Sequence, residues 1–200
     1  MKLNKVENRI FQLAKPFLSV MNNDAHTQDA VDLAFRLLGA EDGERDLVIP
    51  AVILHDVGWS KVPEDLHLLT RKPGSDKGVT RMHEVEGVKI ARSILDKMAD
   101  HHLPVDEILE IINGHDTREK AVTIHDGIVK DADKLSRYSM TFWDIVQRSG
   151  IDPAELCDRL ESRAREWFFL PLSKEIAEEK LRQRRHEIAV HSEGIPLTQG

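Results

Sequence analysis

Two hundred residues, 40% hydrophobic and 32% charged, suffice to bury one core and are too few for two full catalytic domains. A formal net charge of −7 argues against a nucleic-acid binder that works by releasing counterions from a phosphate backbone. The single cysteine, Cys157, excludes an intrachain disulfide and, with no activating histidine motif beside it, reads as a buried core thiol.

Helical periodicity runs through nearly the whole chain, so an all-α, single-domain helical bundle is expected over residues 1–200. Val6, Ile10, Leu13, Ala14 and Phe17 mark a first helix that Pro16 bends or ends. A second opens near Asp24 or Thr27 as N-cap and carries Ala30, Val31, Ala34, Phe35 and Leu38 before Gly39 stops it. The run from Leu47 to Val57 is apolar until His55, and Pro50 fits the first turn of a buried helix better than a central strand. Trp59 to Gly78, with Pro63, Pro73 and Gly74, reads as an irregular loop and a candidate lid, in which Arg71 and Lys72 are taken as solvated. Further helices are expected over about Thr80–Asp100, from Pro104 to Gly114, and from Ile128 through DADKLSRYSMTFWDIVQR to Gly150, with TREKAVTIHDG as connector. Two charged amphipathic helices, broken near Pro171, fill about 153–192, and the tail GIPLTQG reads as frayed. The basic residues Lys180, Arg182, Arg184 and Arg185 are interleaved with glutamates, the pattern of a solvated face laced with ion pairs. Phe142, Trp143, Trp167, Phe168 and Phe169 read as core or oligomer contacts, and homo-oligomerisation stays open. No run approaches the roughly 20 apolar residues of a membrane span and no signal peptide is visible, so a soluble cytoplasmic chain is expected.

The strongest anomaly is His55-Asp56, two ionisable side chains at the end of an apolar helix, where burial demands a partner. A divalent cation answers that demand. Neighbours on a helix diverge by about 100°, so one geometry using both sets His55 on one ion while Asp56, with two oxygens, reaches that ion and bridges to another.

With these residues in order, the sequence resembles the HD-domain metal-dependent phosphohydrolases, whose pattern is a His, a His-Asp pair and a later Asp. Here these are His26, His55-Asp56 and Asp133 in VKDADKLSR, and the resemblance spans about His26 to Tyr138. It implies an HD-type helical bundle with its metal-site core over about 24–140. His83 and His115 stand where two-metal members have further histidines, and the order is similar to that of the dinucleoside-tetraphosphate-hydrolase-like variant. The family match selects Asp133 over its neighbour Asp131, which reads as a supporting or surface acid. His67, His101, His102, His125, His186 and His191 have no motif behind them and are expected to be exposed.

Four neutral imidazoles and two carboxylates around two divalent ions leave a net charge of about +2, suited to an anionic phosphate. Imidazole-rich ligation favours Fe, Mn, Zn, Co or Ni over Mg, and the resemblance points to iron or manganese, as one or two ions. The implied chemistry is hydrolysis of a nucleotide or other small phosphate ester by water made acidic on the ion, with Asp56 at its centre. Lys61 resembles the lysine that follows the family motif, one place later than in the commoner HDxxK arrangement. Lys134 and Arg137, beside Asp133, are candidates to hold substrate phosphates. The same ligands would also serve a di-iron oxygenase or a nucleotide- or metal-binding sensor without turnover.

Overall fold

The computed structural model describes residues 2–67, 77–148 and 150–192. They form ten α-helices and no strand: α1 (Lys5–Ala14), α2 (Asn23–Leu38), α3 (Arg45–Leu54), α4 (Glu64–His67), α5 (Lys77–Leu95), α6 (Val105–Ile112), α7 (Ile124–Ser136), α8 (Met140–Arg148), α9 (Pro153–Trp167) and α10 (Pro171–Ser192). The all-α single-domain bundle expected from periodicity is what the chain adopts. No described helix is long and apolar enough to cross a membrane.

Helix α3 is the centre of the bundle. Every residue from Leu47 to Leu54 is buried, and α1, α2, α6 and α7 pack around it. Helices α2 and α7 pack along each other, α5 lies on α6, and α9 pairs with α10 at the outer side of α7. Pro50 lies inside α3, not in its first turn, because the helix begins at Arg45. Arg45 donates to both oxygens of buried Glu7 at 2.6 and 2.7 Å, and Glu7 also closes the capping box with Asn4. That early anchoring lets α3 start before its apolar run.

Other boundaries differ from expectation for equally local reasons. Helix α2 opens at Asn23, after Met21 and Asn22 adopt left-handed backbone, so Asp24 sits in the first turn and Thr27 is buried inside the helix. The stretch after Trp59 is not wholly irregular: Val57–Lys61 is a 3-10 turn, α4 follows, and α5 begins at Lys77; residues 68–76, with Arg71 and Lys72, lie outside the described residues. The tail GIPLTQG lies outside them as well. Helix α7 starts at Ile124, within the expected connector, because Thr123 accepts from the Asp126 N–H at 3.1 Å while Asp126 accepts from Val122 N–H at 3.0 Å. The single helix expected to run on to Gly150 is broken at residues 137–139, where Tyr138 is buried with its hydroxyl donating to Leu160 O at 2.9 Å. The basic residues of α10 pair partly outside their own helix: Arg185 meets Asp158 and Glu161 of α9.

One close approach positions the site. A Cβ on Gly58 would lie 1.8 Å from His83 O and 2.4 Å from Gly87 N, so only glycine lets the turn after α3 rest on α5. This brings the end of α3 against the first half of α5.

Candidate metal centre

His26 projects from the first turns of α2, His83 from α5, and Asp133 from α7, while His115 lies in the turn after α6. His55 ends α3, and Asp56 has already left helical geometry, at φ −103° and ψ 4°. That break removes the 100° divergence of helical neighbours and lets both side chains face one space.

The donor atoms fall into two groups that share Asp56. His26 Nε2 lies 3.1 Å from His55 Nε2, 3.4 Å from Asp56 Oδ2 and 3.3 Å from Asp133 Oδ1. His55 Nε2 is 3.5 Å from the same Asp56 oxygen. On the other side, His83 Nε2 and His115 Nε2 are 3.2 Å apart and lie 3.7 and 3.6 Å from Asp56 Oδ1. Each oxygen of Asp56 thus addresses its own pair of histidines, and the groups His26, His55, Asp56 and Asp56, His83, His115 each could hold an ion.

Hydrogen bonding around the rings tests whether a cation fits. His55 Nδ1 is 2.7 Å from Val52 O and His115 Nδ1 is 2.9 Å from Ile112 O; a carbonyl only accepts, so both Nδ1 atoms carry the proton. Ser136 Oγ donates to Asp133 O at 2.6 Å and therefore accepts from His26 Nδ1, 2.9 Å away. In their neutral forms His26 and His55 then point lone pairs at each other across 3.1 Å, which only a shared cation or an added proton makes favourable. Donors bonded to one ion at about 2.1 Å and roughly tetrahedral or square angles stand about 3.0–3.4 Å apart; the four shortest separations fall in that range, and the contacts of Asp56 with His55, His83 and His115 are slightly longer, at 3.5–3.7 Å. The residues fit a divalent metal of the imidazole-favouring kind.

Electrostatics agree. Burial opposes ionisation of Asp56, but the charges of His55, His26 and His83 and a hydrogen bond with His115 hold its carboxyl far below the usual range. Burial likewise opposes charge on His115, yet Asp56, Asp116 and Asp133 outweigh it and lift the imidazole to about 9. His83, buried and beside His115, is pushed down to about 4. Next to this cluster Lys134 Nζ donates to Asp133 Oδ2 at 2.7 Å and to Asp116, and the Arg137 guanidinium lies 3.9 Å from Asp133 and over the Trp167 ring. Side chains of His55, His83, His115 and Asp133 are at most 5% exposed, against 20% for His26, 24% for Asp116 and 31% for Arg137, so the site opens on the latter side.

Of the residues expected from sequence, His26, His55, Asp56, His83, His115 and Asp133 converge, with Lys134 and Arg137 beside them. Lys61 does not join them: it is exposed and lines a separate groove with Leu13, Phe17, Glu86 and Lys89. Asp131 is neither surface nor site. It is fully buried and accepts from Phe169 and Leu170 N–H at 3.1 and 2.9 Å, fixing the start of α10. His67 is buried, with its Nε2 donating to Val62 O at 3.0 Å, and His125 is half-buried; the expected exposure fails for both.

Sequence reasoning missed the supports. Ser136 orients His26. The turn carrying His115 and Asp116 is clamped by Glu84, which accepts from Asp116 N–H, Thr117 N–H and the Thr117 hydroxyl at 2.9, 2.8 and 2.6 Å. From the other side Lys130 donates to Gly114 O, His115 O and Arg118 O at 2.6, 2.9 and 2.9 Å. Trp59 donates to Asp56 Oδ1 at 3.1 Å and stacks on His83. The signals in the sequence were faint: a glutamate adjoining His83, and a serine three residues beyond Asp133.

No curated protein and no solved structure matches the chain significantly. A family model for the HD domain does match, over residues 23–138. That span opens with α2 and closes just beyond α7, and so contains all six converging side chains and their supports: the chain belongs to the HD-domain family.

Proposed function

We propose that this chain is a metal-dependent phosphohydrolase acting on a nucleotide or other small phosphate ester or anhydride, with two ions sharing Asp56. The observation that carries this reading is the division of labour within one carboxylate, Oδ2 facing His26 and His55 and Oδ1 facing His83 and His115. Membership of the HD family supports the reaction class. Divalent ions there, of the imidazole-favouring kind by the character of the donors and iron or manganese by the family resemblance, would acidify a water and neutralise phosphoryl oxygens.

The chain's own residues supply the rest. Lys134 is engaged by Asp133 and Asp116, so its charge offsets two carboxylates and keeps the rim from repelling an anion. Arg137 keeps part of its side chain exposed at the mouth of the site, braced by Trp167, and is the better fork for two phosphate oxygens. Ser136 and the carbonyls of Val52 and Ile112 hold three imidazoles in the tautomer that leaves Nε2 free for an ion.

The test is turnover by purified protein loaded with Mn or Fe against a panel of nucleoside mono-, di- and triphosphates and dinucleoside polyphosphates. Phosphate or nucleoside release is expected, with Arg137→Gln raising KM about tenfold or more. Confirmed metal occupancy with no turnover across the panel overturns the reading. Oxygen uptake dependent on an organic substrate would transfer the site to oxidative di-iron chemistry, for which the same donors serve.

A further inference from the structure

Three of the four clustered histidines anchor Nδ1 on an oxygen, and His83 does not: its Nδ1 is buried without a hydrogen-bond partner. What holds this ring is Trp59, whose indole stacks on it with centroids 4.2 Å apart and planes 11° from parallel. The same indole N–H donates to Asp56 Oδ1, the oxygen that faces His83 and His115. Trp59 is itself fixed. It is buried in a small cluster with Val62 and Val79, with Leu66 packed on it, and meets His67 edge-on at 5.7 Å.

Resting on the two-ion reading above, we infer that Trp59 is the positioning residue for the His83–His115 half of the centre. Occupancy of that half depends on it; occupancy of the His26–His55–Asp133 half does not. With Nδ1 unpartnered, no carbonyl or hydroxyl holds the far side of this ring, so the indole face does what a carbonyl does for His55 and His115. The N–H turns one oxygen of Asp56 toward that half, while Oδ2 faces the other group of donors. Loss of such an outer partner weakens metal affinity by about 10–100-fold.

Titration of the full-length chain with Mn(II), followed by calorimetry and by the EPR signature of a coupled pair, tests this. The wild type should take two ions. Trp59→Phe keeps a ring on His83 and removes the N–H, and should weaken the second ion about tenfold with the first unchanged. Trp59→Leu removes both contacts and should weaken it about a hundredfold, the coupled signal giving way to that of isolated Mn(II). Leu66→Ala, which loosens the same cluster without touching the ligands, should retain both ions at wild-type affinity. The inference is overturned if folded Trp59→Phe and Trp59→Leu bind two ions as the wild type does, if they lose both ions together, or if Leu66→Ala mimics them. A wild type that takes one ion or none overturns instead the two-ion reading on which it rests.

Discussion

A lysine ammonium has three protons, and Lys130, only 3% exposed, places all three on backbone carbonyls of the turn that carries His115. Residues 113–118 have no helical ladder of their own, so their polar backbone is satisfied from above by Glu84 and from below by Lys130. Burial lowers the Lys130 pKa, yet the three acceptors leave the charge well served. Lys130→Met preserves much of the volume and strands those carbonyls, at a cost of about 3 kcal/mol. Urea unfolding should show that loss as a lower midpoint with an unchanged slope; a wild-type midpoint would mean the clamp is redundant. This is also where sequence reading reaches its limit. The candidate donors were legible because one His-Asp pair closes an apolar helix and the order of the others resembles that of the HD family. Lys130 was not, since a lysine in VKDADK is indistinguishable from a solvated one until the turn it reaches is folded against it.

At the level of elements, apolar periodicity located α1, α6, α9 and α10 closely, because each buries one face against a neighbour and has its proline or cap where the pattern stops. It failed where a boundary depends on a partner distant in sequence. Arg45 needs Glu7 to start α3. The junction of the 3-10 turn with α5 belongs to the same class, since nothing local in LHDVGWSK announces that Gly58 touches another helix. Gly58→Ala would put a methyl carbon into the His83 carbonyl and the Gly87 amide, both backbone and unable to turn aside. The turn and α5 must then separate, at a cost of about 3 kcal/mol or more. Because α5 carries His83, the displacement should also deplete metal from the His83–His115 half. Thermal melting and metal analysis of one preparation check both effects, and a variant with wild-type Tm and full metal content would show that the approach is not tight.

Across the whole molecule, the six candidate ligands come from α2, the end of α3, α5, the turn after α6, and α7. No short segment of the unfolded chain can assemble that set, so an ion binds the folded state almost exclusively and metal affinity becomes folding stability. The same interior buries Asp56, Asp133, Glu84, Asp126 and Asp131 against few buried cations. Backbone N–H groups serve Asp126 and Asp131, Arg81 and the Thr117 turn serve Glu84, and Lys134 serves Asp133, so in the metal-free bundle Asp56 is the carboxylate answered by the imidazoles around it, His115 among them. For free metal at about 100 times Kd, one ion adds about 2.7 kcal/mol, and for a chain of this size that raises Tm by about 5–11 °C. Chelation should reverse the rise, and Asp56→Ala, which removes the shared carboxylate from both groups, should melt at one temperature with or without metal. His83→Ala should keep roughly half of the wild-type response, because the His26, His55 and Asp133 donors remain. Calorimetric scans of the three proteins with Mn(II) and with excess chelator separate these cases. A wild-type melt indifferent to chelator would mean that the six donors, though gathered, do not bind an ion together.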